Sequence, residues 1–143
     1  MKTRSVLRSL VLAAALSLGP LSALAQDKSG IAFELNGAKT VASACRVTFV
    51  VRNTLDAGLT ALALDLVVFD KDESVTGYAG IDIGALPKGK TRVRQYEVAD
   101  YDCEKISRLL INEVRACDNP AGKIENCATL LKLRTKTTID LTL

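Results

Sequence analysis

The chain has no histidine and no tryptophan, a single methionine at position 1, and only 4% aromatic residues in 143 positions. Without histidine it lacks the usual general base near neutral pH, the commonest metal ligand and the His-dependent serine and cysteine catalytic arrangements. So few aromatics (Phe33, Phe49, Phe69, Tyr78, Tyr96 and Tyr101) cannot build a base-stacking platform, which disfavours single-stranded nucleic acid. No C-x-x-C spacing occurs among Cys45, Cys103, Cys117 and Cys127, which argues against a zinc ribbon and a thioredoxin-like redox site. There is no internal repeat, no low-complexity linker and no long amphipathic helical pattern. No cofactor-binding or metal-binding motif is recognisable.

What is present begins with an export pattern. Lys2, Arg4 and Arg8 precede the apolar run from Leu10 to Leu18, followed by Gly19-Pro20 and the small-residue end Ala23-Leu24-Ala25. This reads as a secretory signal over 1–25, with cleavage leaving Gln26 first. The apolar run is under half of the roughly 20 residues that a spanning helix needs, so no stable membrane anchor is expected after cleavage. Arg4 and Arg8 are not adjacent, so a twin-arginine signal is not supported, and no cysteine stands at the cleavage point for lipidation. The signal's three charges are all positive. The formal net charge of +3, from 19 basic and 16 acidic residues, therefore falls to zero over 26–143, which removes even a mild case for nucleic acid.

Residues 26–143 form one domain, large enough to bury roughly two thirds of its unfolded surface. Its texture is strand-like. Ile31 to Leu35 alternates and meets Asn36-Gly37, a strong turn dipeptide. Cys45 to Arg52 puts Val47, Phe49 and Val51 on one face and Arg46, Thr48 and Arg52 on the other. Thr60 to Phe69 presents Leu62, Leu64, Leu66 and Val68 to one side and ends in the charged turn Asp70-Lys71-Asp72-Glu73. A second hairpin is expected across Pro87-Lys88-Gly89-Lys90, from Ile81, Ile83 and Leu86 to a return strand over Thr91 to Val98. Ile106 to Cys117 fits both a helical and a strand period, and the surrounding pattern favours a helical turn near Cys103 followed by a strand. Leu130 to Leu133 and the alternating Thr137 to Leu143 close the chain. About seven strands with turns every 8 to 12 residues predict an all-β protein, an immunoglobulin-like antiparallel β-sandwich.

Four cysteines in an exported chain imply two disulfides, and three pairings are open. The favoured one joins Cys45 with Cys103 and Cys117 with Cys127.

The stretch Cys45-Arg-Val-Thr-Phe-Val-Val-Arg-Asn53, with Leu66-Val-Val-Phe-Asp70, Gly84-Ala-Leu-Pro-Lys-Gly-Lys-Thr-Arg-Val-Arg-Gln95 and Leu109-Leu-Ile-Asn-Glu-Val114 before Cys117, resembles a family of small exported alphaproteobacterial proteins known as Tat-pathway signal sequence domain proteins. More distantly, the strand ending in Phe69-Asp70 and the later Leu-Pro-x-Gly turn look like immunoglobulin-like FxLYD-type domains of bacterial envelopes. The resemblance implies a sandwich and an envelope location, and it brings no catalytic residue with it.

Three side-chain sets deserve weighing. Asp70, Asp72 and Glu73 offer hard oxygens for Ca²⁺ but lack the EF-hand spacing, glycine and terminal glutamate, so a charged hairpin tip is the better reading. Asp100, Asp102 and Glu104 form a second acidic group, for which an acid–base role is a minor alternative to plain solvation. Arg46, Arg52, Arg92 and Arg94 fall on the polar faces of two strands. If those strands are neighbours, the four form a basic stripe for a carboxylate, phosphate or acidic protein surface, unless Asp65, Glu97 or Glu113 neutralises them. The function expected is non-enzymatic binding of another envelope protein through a sheet face or edge. The rivals are a carrier of a small anionic or apolar ligand and an enzyme using the Asp100, Asp102 and Glu104 acids.

Overall fold

In a computed structural model, residues 29–143 are described, and the predicted signal over 1–25 lies outside them. Nine strands make two sheets packed face to face: β1 (Ile31–Val41), β2 (Ala44–Asn53), β3 (Ala61–Asp70), β4 (Val75–Asp82), β5 (Thr91–Ala99), β6 (Ile106–Asn119), β7 (Gly122–Lys123), β8 (Leu131–Thr135) and β9 (Asp140–Thr142). One sheet runs β5-β2-β1-β8; the other runs β4-β3-β6-β7, with β9 also pairing β6. The all-β sandwich expected from the alternation is therefore present.

The core follows from that alternation. Ile31, Phe33 and Leu35 of β1, Val47, Phe49 and Val51 of β2, and Leu62, Leu64, Leu66 and Val68 of β3 all face inward with no exposed surface. Each such side chain contributes about 1.5–3 kcal/mol by leaving water. Phe33 and Phe49 meet with ring centroids 5.0 Å apart, and Tyr96 of β5 extends the row at 6.4 Å from Phe49.

Four local expectations change. Asn36-Gly37 is not a turn: β1 runs through it as a bulge, which shifts the register between Leu35 and Gly37, and the chain reverses instead at Ala42-Ser43, with Ala42 at φ 54°. The bulge resets the alternation, so Ala38 now lies opposite the inward Val47 and Lys39 opposite the outward Arg46. Secondly, Pro87-Lys88-Gly89-Lys90 does form a turn, with Lys90 N–H donating to the Pro87 carbonyl at 3.0 Å, but it closes no hairpin. β4 pairs with β3 and β5 pairs with β2, so the chain passes here from one sheet to the other.

Thirdly, the sandwich is not purely antiparallel, because β8 lies parallel to β1 and β9 parallel to β6. Finally, the predicted last strand over Thr137 to Leu143 shrinks to Asp140–Thr142. The count of nine rather than about seven owes its excess to very short strands such as β7 and β9.

The ambiguous segment resolves as a 3-10 turn over Cys103–Lys105 followed by the 14-residue β6. Its helical look has a physical cause. The register against β3 shifts at three places, leaving Ser107, Asn112 and Arg115 without an opposite partner. Each bulge adds one residue, so the inward positions fall at Ile106, Leu109, Ile111, Val114 and Cys117, stretched from the strand period of two toward that of a helix.

The cysteines stand in the favoured pairs: Cys45 with Cys103, Cα atoms 4.7 Å apart, and Cys117 with Cys127, 6.3 Å apart. The first ties β2 to the 3-10 turn before β6, bridging the two sheets at one end. The second ties β6 to the 3-10 turn over Cys127–Leu130 that leads into β8.

Asn53, fully buried at the end of β2, is the buried polar side chain of the described core. Its Nδ2 donates to the carbonyls of Ala57 and Leu86, both at 2.9 Å, and its Oδ1 accepts from Leu55 N–H at 2.9 Å. Its backbone N–H and carbonyl engage Lys90 and Gly89, so one residue holds both the loop after β2 and the turn before β5.

Candidate functional site

β2 and β5 are neighbours, as a basic stripe requires, yet the four arginines do not share a face. Arg46 and Arg52 lie opposite Glu97 and Thr91 on the outside of the β5-β2-β1-β8 sheet. Arg92 and Arg94 lie opposite the core residues Val51 and Phe49, so they leave β5 on the inner side, where the edge of the sandwich opens to solvent. The register shift at the Cys45 end of the pairing sets this phase, and no single-strand pattern reveals it. Arg46 is neutralised as the alternative reading expects, its guanidinium 2.7 Å from Glu97 Oε1.

The sheet nevertheless carries a basic outer face, completed from elsewhere in the chain. Lys39 lies beside Arg46, Lys132 beside Ala32 in the row of Arg52, and Arg134 beside Glu34. Lys136 reaches Glu34 at 3.1 Å. Against Lys39, Arg46, Arg52, Lys132, Arg134 and Lys136, the face offers only Glu34 and Glu97 as carboxylates. Among the described residues, Lys39, Arg52, Lys132 and Arg134 form no ion pair, and all four are exposed. Glu34 registers the local field: the Asn36 amide and the Lys136 ammonium bonded to it, with Arg134 nearby, hold its carboxyl below the usual range. Val93 of the edge strand β5, 56% exposed, and Val50 of β2 sit opposite each other on this face. Chemically, it is a shallow surface of separated cations beside a small apolar patch, suited to carboxylate-bearing protein surface rather than to one enclosed anion.

On the other flank, β4 and β5 are the facing edges of the two sheets, and side chains close them. The Tyr96 hydroxyl donates to the Asp82 carbonyl and accepts from Asp82 N–H at 3.1 Å; the hydroxyls of Tyr101 and Thr76 hydrogen-bond each other. Burial raises the Tyr96 phenol above its ordinary value. The Tyr96 bridge occupies the main-chain N–H and carbonyl of Asp82 on the edge strand β4, where open main-chain groups can recruit another strand.

The two acidic sets meet at one end. A cleft of about 510 Å³ is lined by Asp70, Asp72 and Glu104 together with Lys71, Lys105 and the hydroxyls of Thr76 and Tyr101. Asp100 and Asp102 do not line it. Asp70 Oδ1 accepts from the N–H groups of Asp72 and Ser74, both at 2.9 Å, which is the work of a hairpin tip. Glu73 points away to Arg108, 2.8 Å, and to Ser107, and both partners lower its carboxyl below the usual range, Arg108 first. Among the described residues no three acidic or cysteine side chains converge as a metal cage would need.

Lys39, Lys132 and Arg134 are the residues that sequence reasoning missed. For Lys132 and Arg134 the signal existed, since they alternate with the inward Leu131 and Leu133; what was hidden is that β8 joins β1. Lys39 was hidden by the bulge at Asn36-Gly37.

These features define a class: a disulfide-bonded β-sandwich domain in which one sheet carries a basic outer face. No protein-family model matches the chain, and no curated protein and no solved structure matches it.

Proposed function

We propose that this chain is a non-enzymatic docking domain of the bacterial envelope, exported to the periplasm and acting through the basic outer face of β5-β2-β1-β8 on an acidic surface of another envelope protein. The observation that carries the reading is the set Lys39, Arg52, Lys132 and Arg134: four exposed cations on one sheet face, without ion-pair partners among the described residues of a charge-balanced domain. The export pattern over 1–25 and two disulfides favour an oxidising compartment, and no described helix is long and apolar enough to cross a membrane. An immunoglobulin-like kinship belongs to the same proposal. It is supported by the orders β1-β2-β5 and β4-β3-β6, with consecutive strands crossing between sheets as in that fold.

The test is retention of envelope proteins on the immobilised full chain. Wild type is expected to hold an acidic protein at low salt. Arg52→Glu with Arg134→Glu is expected to release it, whereas Arg92→Glu with Arg94→Glu, on the other side of the sheet, leaves it bound. Equal effects from both pairs would sink the reading.

The cleft of about 510 Å³ supports a second reading, a carrier of a small ligand that meets Lys71, Lys105 and Tyr101 beside the carboxylates of Asp70, Asp72 and Glu104. Native mass spectrometry of the protein taken from its own compartment decides this one: a co-purifying small mass lost in Lys71→Ala with Lys105→Ala supports it, and bare protein refutes it.

A further inference from the structure

The outer face of the second sheet is the opposite of the first in charge and similar in design. On its edge strand β4, Tyr78 stands 79% exposed, opposite Val67 of β3, which in turn lies opposite Leu110 of β6. One row along, Val75, 49% exposed, lies opposite Phe69, and Arg108 of β6 stacks on the Phe69 ring at 3.9 Å. Nothing in the core uses Tyr78. Around this apolar row the face carries Asp65, Asp82, Glu113, Asp118 and Asp140. Of its cations, Arg115 is paired with Asp65 and Arg108 with Glu73, and Lys123 lies opposite Asp118. The charge balance of the domain therefore conceals a polarity: basic side chains gather on one broad surface and carboxylates on the other.

We propose that copies of this chain stack face to back, the basic outer face of β5-β2-β1-β8 in one copy docking on the acidic, tyrosine-bearing outer face of β4-β3-β6 in the next. The proposal rests on the reading of the basic face as a docking surface and names the surface that fits it. Three observations support a second copy as the occupant. Charges are complementary, with Arg52 and Arg134 on one face and Asp82, Glu113 and Asp140 on the other. Both faces have an apolar patch, exposed Val93 beside half-buried Val50 on one and exposed Tyr78 and Val75 on the other, and tyrosine is a preferred anchor in such contacts. The domain has no net charge to keep its copies apart.

Four strands about 4.8 Å apart and seven residues at about 3.4 Å give each face on the order of 450 Å². A stacked pair then buries about 900 Å², the size of a weak, transient contact. Because the two surfaces differ, each added copy leaves one basic and one acidic face open, so stacking gives chains rather than a closed dimer.

Sedimentation of the full chain tests this. The Debye length falls from about 30 Å at 0.01 M salt to about 8 Å at 0.15 M, so mass should rise with protein concentration at the lower salt and return to the monomer at the higher. Arg52→Glu with Arg134→Glu removes the basic face, and Tyr78→Lys with Asp140→Lys removes the acidic one. Each variant alone is expected to stay monomeric with an unchanged circular dichroism spectrum, while an equimolar mixture gives a complex of two chains and no larger. Wild type that is monomeric at low salt overturns the stacking, as does a mixture that stays monomeric while wild type associates. If the acidic envelope protein is still retained in either case, stacking alone has failed and the docking role of the basic face stands; loss of that retention with stacking intact is the reverse result.

Discussion

Asn53 shows how much one side chain can hold in this domain. Its buried amide meets the carbonyls of Ala57 and Leu86 and the N–H of Leu55, of which only the Leu86 carbonyl has a second partner, the Leu59 N–H. Asn53→Ala removes all three bonds and is expected to cost on the order of 3 kcal/mol, read as a lower urea midpoint with an unchanged slope. An unchanged midpoint would mean that the loops relax to reach water. Glu34 and Glu73 act on stability through pH. Their carboxyls titrate below the ordinary range when folded, so the stability they add is present above the unfolded value, and it is lost as pH falls through the lowered ones. Glu73→Gln is expected to flatten the acid limb of a Tm-against-pH curve, and an identical limb would show that Arg108 contributes nothing there. Tyr96 acts in the opposite sense: burial raises its phenol, so its contribution is intact below the unfolded value and lost as pH rises through the folded one.

At the scale of elements, the disulfides and the bulges decide the architecture. Cys45 and Cys103 close a separation of 58 residues and Cys117 and Cys127 one of 10. In the chain-entropy account Cys45→Ala with Cys103→Ala removes about 4 kcal/mol and Cys117→Ala with Cys127→Ala about 3. Denaturant titration of the two double variants checks the order, which equal midpoints would contradict. The alternation of β2 and β3, both disulfides and the turn after Pro87 were legible in the sequence, because each rests on local period, compartment or turn chemistry. The phase of β1 beyond Leu35, the three insertions in β6 and the sheet to which β5 belongs were not, because a bulge or a crossover is settled by the neighbouring strand. The candidate site divides the same way. Arg46 and Arg52 were readable as one outward pair, whereas their companions Lys132 and Arg134 arrive on a strand from the far end of the chain.

For the molecule as a whole, the placement of the last strands matters most. β8 completes the first sheet and β9 extends the second, so the segment after Cys127 fastens both layers. A chain ending at Asn119 loses both, along with the partner of Cys117, and is expected to lose cooperative unfolding; a sharp transition in that fragment would show that the first six strands suffice. The pairing of Ile31 with Leu131 also spans about a hundred residues, a non-local contact of the kind that slows folding. During synthesis, β1 stays without its neighbour β8 until about a hundred further residues have emerged, and the basic face is not complete before then. Under the export and docking roles proposed above, this order of assembly means that the chain has no finished docking face to offer to partners on the wrong side of the membrane.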